Sequence, residues 1–258
     1  MDIRLDGQHA LVLGASQGIG KAVAKELAGL GATITALARD EAKLDALVRE
    51  LGGGRHSVMA LDAADTSALE TAMRALAVKQ PISIIVNNSG GPAPGAAHTA
   101  EASAYESAFR QHLIAYQTVA LALIPGMKKR GLGRIINIIS TSVKQPLHNL
   151  GVSNTIRAAV ANWAKTLANE LGQHGITVNN VLPGATGTER LDAIVRNKAA
   201  KQGITEEAAA EEMRAEIPMR RFARPEEIAH AVAFLAGPAG AYINGINLPV
   251  DGGRTACL

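Results

Sequence analysis

Three glycines in the run Gly14-Ala15-Ser16-Gln17-Gly18-Ile19-Gly20 are spaced to bend a chain sharply and to bare its backbone N–H groups. Such a turn suits a pyrophosphate. Glycine has no Cβ to hold the phosphates away, and a helix starting at the turn aims unpaired N–H groups and its positive dipole end at them. Taken alone, the run is equally a tight strand-to-helix connection. A second feature adds to it: Ala38 is followed by Arg39 where the second strand should end. A site for a dinucleotide with free ribose hydroxyls places a carboxylate there. Here no acid repels a 2′-phosphate and a guanidinium can pair with one, so NADP (NADPH) is expected ahead of NAD. The other reading of Arg39 is a surface arginine flanked by Asp40.

The elements that position these residues follow from hydrophobic periodicity. Short apolar runs predict strands over 10–13, 33–38, 57–61, 82–86, 134–139, 176–182 and 243–250. Helical spacing fills the intervals: Ile19, Val23, Leu27 and Leu30 after the first strand, then Leu44, Leu47, Val48 and Leu51, then Leu69, Met73 and Leu76. A long helix is predicted over 104–129, with Phe109, Leu113, Tyr116, Ala120 and Leu123 on one face. Ile156, Val160, Trp163, Leu167 and Leu171 stripe another, and Arg224-Pro225-Glu226-Glu227 opens a further one with proline in its first turn. Strands alternating with helices imply right-handed crossovers and a parallel sheet covered on both faces. The expected architecture is a single Rossmann-type, doubly wound α/β domain spanning 1–258. The segment 188–219, polar and helical in composition, falls outside the rhythm and is expected to form a substrate lid.

Composition narrows the function classes. Of 258 residues, 47% are hydrophobic and 3% aromatic, which suits a parallel sheet rich in aliphatic side chains. The net charge of +3 is dispersed, with Arg and Lys alternating with acids between Glu189 and Arg224, so no nucleic-acid stripe is expected. Lys128-Lys129-Arg130 suits a helix C-terminus. The single cysteine, Cys257, excludes an internal disulfide and offers no zinc ligand set, so no metal is expected. The first residues are charged, without the apolar core of a signal peptide, and no apolar run has spanning length. The expectation is a cytoplasmic protein without a membrane partner.

At this point the chain resembles the short-chain dehydrogenase/reductase family, above all its 3-oxoacyl-(acyl-carrier-protein) reductase-type branch. The matching pieces are the glycine turn, Asp62, Asn87-Asn88-Ser89-Gly90, Ser140 and Pro183-Gly184. Arg224-Pro225-Glu226-Glu227-Ile228-Ala229 and Val250-Asp251-Gly252-Gly253 match as well. The resemblance implies a seven-stranded parallel sheet and a homotetramer or homodimer acting on a small-molecule substrate. It implies that Asp62 and Ala63 border the adenine and that Asn88 and Gly90 line the adenosine ribose. The stretch from Pro183 and Gly184 to Thr188 would complete the cofactor site, with Thr188 bonding the carboxamide. One departure is Leu13, where the family has a threonine whose hydroxyl ties this turn to the fourth-strand segment.

A larger departure concerns chemistry. The family uses an Asn, a Ser and a Tyr-x-x-x-Lys pair: the serine orients the carbonyl, the tyrosine moves the proton and the lysine acidifies it. Here the serine is Ser140, the tyrosine position is Ser153, the lysine position is Arg157 and the asparagine position is His112. No tyrosine lies between Tyr116 and Tyr242, so no small shift in register restores the motif. A phenol of pKa about 10 can be tuned toward neutrality by a nearby cation, whereas an aliphatic hydroxyl is far less acidic and arginine stays charged. Arg157 can still bridge ribose hydroxyls. His112, with a reference pKa of about 6.5, is the best-placed titrating group by alignment, and Lys144 and His148 lie in the loop bordering the substrate.

Three readings are open on the sequence: an NADP-dependent oxidoreductase acting on a ketone or secondary alcohol through an altered acid–base set; a cofactor-holding pseudoenzyme or sensor; and a non-redox lyase or dehydratase using Arg157 as an anion clamp.

Overall fold

The computed structural model describes residues 2–53 and 55–257. β1 (His9–Leu13), β2 (Thr33–Ala38), β3 (Ser57–Ala60), β4 (Ile84–Asn87), β5 (Gly133–Ile138), β6 (Ile176–Pro183) and β7 (Asn247–Val250) form one sheet. Its order is β3-β2-β1-β4-β5-β6-β7 and every pairing is parallel. The expected seven-stranded parallel sheet is therefore the architecture. The winding direction reverses between β1 and β4, and the strand C-terminal ends at that reversal frame a crevice, the usual ligand position in such sheets.

Period-two alternation sends neighbouring residues to opposite cores. Ala10, Val12, Ile34 and Val86 pack against α1 (Gly18–Gly29), α2 (Glu41–Glu50) and α9 (Pro225–Ala236), through Val23, Leu27, Leu44, Leu47 and Val232. Leu11, Leu13, Ile85 and Ile135 face α3 (Thr66–Lys79), α5 (Ala115–Arg130) and α6 (Gly151–Leu171), through Met73, Val119, Leu123 and Val160. Each such fully buried aliphatic side chain contributes about 1.5–3 kcal/mol. α7 (Glu189–Gln202) and α8 (Glu206–Ala215) pair through a small cluster of their own, with Leu191, Val195 and Ala199 facing Ala209 and Ala210.

Helix starts follow local capping chemistry. Asp40 caps α2, accepting from the Lys43 N–H at 3.0 Å, and Asp65 caps α3, accepting from Ala68 at 3.0 Å. At α9 the Glu227 carboxylate accepts from the Arg224 N–H at 2.8 Å, with Pro225 at the first helical position. α1 has no such cap: the Gln17 side chain makes no capping bond and no acid lies in the first turn.

Two predicted elements differ. The seventh strand was expected from residue 243 but begins at Asn247. Gly245 adopts φ +74°, which no strand residue has, while Asn244 Oδ1 accepts from the Val178 N–H at 2.9 Å. The long helix is also divided. α4 (Ala102–Phe109) passes into one wide π-helical turn, Arg110–Ile114, before α5. Among the described residues no helix is long and apolar enough to cross a membrane.

Candidate active site

The β1–α1 turn is held by backbone contact. Gly14 has φ +62° and Gly18 φ +55°, the left-handed region that glycine enters freely. A Cβ on Gly14 would stand 2.7 Å from Asn88 Nδ2, and one on Gly20 would collide with the Gly14 carbonyl. Asn88 Nδ2 donates to the Gly14 oxygen at 3.3 Å, tying the turn to the end of β4. Gly18 faces Thr188, at the start of α7, from the other side.

A cavity of about 1130 Å³ runs from this turn along the C-terminal ends of the central strands. Ile19, Asn88, Ser140, Ser153, Arg157, Pro183, Gly184 and Thr188 all line it. Helix α6 brings Ser153 and Arg157 to it one turn apart, and both are buried. Arg157 Nη1 donates to the Ile138 carbonyl at 3.1 Å and Nη2 to the Ser89 carbonyl at 3.4 Å. Ser140 lies two residues past the end of β5, and its Oγ accepts from the Ser142 N–H at 3.1 Å. The Thr188 hydroxyl caps α7 and donates to the Thr186 carbonyl at 3.2 Å.

His112 lies on the wide turn between α4 and α5, wholly buried and behind the cavity wall rather than in it. Its Nδ1 is 2.5 Å from Ser89 Oγ, and Tyr116 Oη is 2.6 Å from the same oxygen. The two rings meet edge-on, with centroids 6.1 Å apart. Burial, with the charges of Arg157 and Arg190 adding to it, holds the His112 pKa down to about 3. The ring is neutral, so the titration near neutrality expected of a free imidazole is absent. Burial likewise pushes the Tyr116 phenol up, against the pull of Arg157. His148 lines the cavity, whereas Lys144 lies outside its wall.

Toward β2, Arg39 is exposed and forms no ion pair among the described residues. Asp40 is occupied with its cap and with Lys43 Nζ at 4.0 Å, and Lys43 also reaches Gln17 Oε1 at 3.0 Å. Asp62 is exposed and accepts from the Ala64 N–H at 2.9 Å. Ala63 is half-buried beside it, and Gly90 is exposed at the end of the Asn88–Gly90 segment.

The family described as "Enoyl-(Acyl carrier protein) reductase" matches residues 14–255. The chain belongs to the short-chain dehydrogenase/reductase family. L-xylulose reductase of Bos taurus is 32% identical over 257 residues, covering 99% of this chain and 100% of that protein. The 3-oxoacyl-(acyl-carrier-protein) reductase FabG of Vibrio cholerae is 34% identical over 254 residues, covering 97% and 98%. The crystal structure of L-sorbose reductase from Gluconobacter frateurii, complexed with NADPH and L-sorbose, superposes with a TM-score of 0.94 at 30% identity over 100% of both chains.

Within this short-chain dehydrogenase/reductase, four polar groups in or around the cleft were given no chemical role by the sequence reading: Ser89 and Arg190 on the cavity wall, Tyr116 behind it and Lys43 beside the glycine turn. Tyr116 is legible only as a core residue of its helix. Arg190 follows the α7 cap and donates to the Gly91 carbonyl at 2.9 Å and to Pro92 at 3.4 Å, spanning the cleft mouth. A row of amides was missed as well. Asn87 Nδ2 donates to Asn137 Oδ1 at 2.8 Å, Asn137 to Asn180 at 2.9 Å and Asn180 to Asn247 at 2.8 Å, across β4 to β7. At its open end Asn87 Oδ1 is buried without a partner among the described residues, on the sheet face that Leu13 shares.

Proposed function

We propose that the chain is an NADP-dependent oxidoreductase interconverting a ketone and a secondary alcohol through an atypical acid–base set. One observation carries the reading: a single cavity joins the uncapped start of α1 to Ser140, Ser153 and Arg157. The cradle fits a dinucleotide. The turn has no room for a Cβ at Gly14 or Gly20, the α1 N–H groups are free for a pyrophosphate, and Arg39 and Lys43 stand where a 2′-phosphate would lie. The NADPH bound by the L-sorbose reductase supports the same choice.

When bound, the reduced dinucleotide supplies a hydride from its nicotinamide ring. The chain's own residues do the rest. Arg157 takes the place of the family's lysine and holds the nicotinamide ribose, while Asp62, Ala63, Asn88 and Gly90 surround the adenosine. Pro183, Gly184 and Thr188 seat the nicotinamide end. Ser140 donates to the substrate oxygen. Ser153, in the place of the tyrosine, has an aliphatic hydroxyl with no acidic partner to restore its proton among the described residues, and is not the proton source. His112, neutral and behind the wall, does not act on the substrate directly, and Lys144 lies off the cavity. α7 and α8, over 188–219, serve as a substrate lid, a role supported by the Arg190 contacts across the cleft mouth. Exposed Phe109, Ile114 and Leu121 along α4 and α5 support a homodimer or homotetramer.

The test is a fluorescence titration with NADPH and NADH, followed by NADPH oxidation with a ketose, a 3-oxoacyl thioester and a 1,2-diketone. Tighter binding of NADPH and turnover of at least one carbonyl are expected. Tight binding with no turnover of any would favour a cofactor-holding protein, a second reading supported by Ser153, Arg157 and neutral His112, none of which exchanges protons near neutral pH.

A further inference from the structure

Ser89 lies between Asn88 and Gly90 on the cavity wall. Two buried groups approach its hydroxyl from behind: His112 Nδ1 at 2.5 Å and Tyr116 Oη at 2.6 Å. A serine oxygen accepts two hydrogen bonds and donates one, so the proton positions can be counted. His112 Nε2 is buried with no partner among the described residues. A bare lone pair there costs less than a stranded N–H, so the ring proton sits on Nδ1 and His112 donates to Ser89. The Tyr116 oxygen faces the Arg157 guanidinium, which has donors only; the phenolic hydrogen therefore also goes to Ser89. Both lone pairs of Ser89 are filled from behind. Its own hydrogen is the one left over, and the cavity is the open side.

We infer that Ser89 is the catalytic proton donor to the substrate oxygen, with Tyr116 positioned to restore its proton. The inference rests on the oxidoreductase reading. In the reduction the carbonyl π bond breaks as the carbon takes the hydride, and the oxygen takes the Ser89 hydrogen. Ser89 recovers a proton from the Tyr116 hydroxyl along the 2.6 Å contact; burial opposes the phenolate that this leaves, and the charge of Arg157 favours it. Water entering the cleft returns the proton to Tyr116 through Ser89, and alcohol oxidation runs the same path backwards. Donation from both His112 and Tyr116 spreads the charge that appears on Ser89 as its proton leaves. A phenol from α5 is thus paired with the cation at the family's lysine position on α6, with a serine between them and the substrate.

The experiment measures NADPH oxidation with the carbonyl panel above for wild type, Ser89→Ala, Tyr116→Phe and the exposed control Tyr242→Phe. Ser89→Ala should lower kcat about 100-fold, the scale of a lost general acid, with the NADPH Kd within about twofold of wild type. Tyr116→Phe should lower kcat about 10-fold at unchanged KM and alter the solvent deuterium isotope effect on kcat, which a structural role would leave alone. Tyr242→Phe should behave as wild type. Wild-type turnover matched within about threefold by Ser89→Ala overturns the relay and leaves the oxidoreductase reading intact. Wild type that binds NADPH but oxidises it with no carbonyl overturns both. Should Ser89→Ala fail to fold, an unchanged rate and isotope effect in Tyr116→Phe overturns the relay in its place.

Discussion

The β1–α1 turn and the wall behind Ser89 flank the reversal point of the sheet, and they hold their shapes by different means. The turn is shaped by main chain: Gly14 and Gly20 press on Asn88 and on each other, and an uncapped helix start faces outward. The wall is shaped by side chains: Ser89, His112, Tyr116 and Arg157 come from three separate segments and meet through hydrogen bonds and one edge-on ring contact. Backbone recognition tolerates few substitutions because almost any Cβ intrudes. A side-chain network can exchange members while its geometry survives, provided each polar atom finds a partner. On the proposed reading, the difference is what lets one family cleft keep its dinucleotide cradle while its proton chemistry is rebuilt.

The largest effect should come from spoiling the cradle. Gly20→Val drives a side chain into the Gly14 carbonyl and should weaken NADPH binding at least about 100-fold, about 2.7 kcal/mol. Titration would show it, and near-wild-type affinity would mean the turn is not the phosphate site. The wall should respond to acid instead. His112 has its pKa lowered from 6.5 to about 3, so below 6.5 the unfolded chain binds a proton that the folded chain refuses. Its contribution is intact above that pH and is lost as pH falls toward 3. Denaturant melts from pH 7 to 4 should show a shallower acid limb for His112→Asn; an unchanged limb would contradict a neutral buried ring.

A medium effect is expected in the amide row. Asn137 both donates and accepts, whereas Asn87 only donates, so Asn137→Ala should cost about 2 kcal/mol and Asn87→Ala about half as much. Equal losses would show that the row does not act as a chain. The smallest effect belongs to the cofactor's far end. Arg39→Ala should weaken NADPH about 10-fold and NADH hardly at all, measured as the ratio of the two Kd values. An unchanged ratio would move the 2′-phosphate elsewhere.

Legibility divides along the same line. The sheet, its two cores and the glycine turn rest on local signals: alternation in β1, the helical stripe of α1 and glycines next to a strand end. β7 was overextended because Gly245 and Asn244 interrupt an otherwise apolar run, through contacts with Val178 that no local pattern records. Ser140, Ser153 and Arg157 were visible through resemblance, and the cavity brings them together. Ser89 stood inside a recognised segment, but its significance depends on Tyr116, which periodicity assigns to the core with good reason. The amide row depends on strand register between asparagines far apart in sequence, which alternation alone does not supply.

The wide turn at Arg110–Ile114 makes one lineage of change far more damaging than another. A point substitution at Ile114 leaves everything after it in phase. The turn already holds one residue more than regular helix needs, so a loss there can close into regular helix with α5 in phase, whereas a further residue gained between the turn and Tyr116 would swing the rest of α5 by about 100° about its axis. Tyr116 would leave Ser89 while Val119 and Leu123 left the sheet. The site is therefore written in a count as well as in letters, and insertions near residue 112 should be purged more strictly than replacements there.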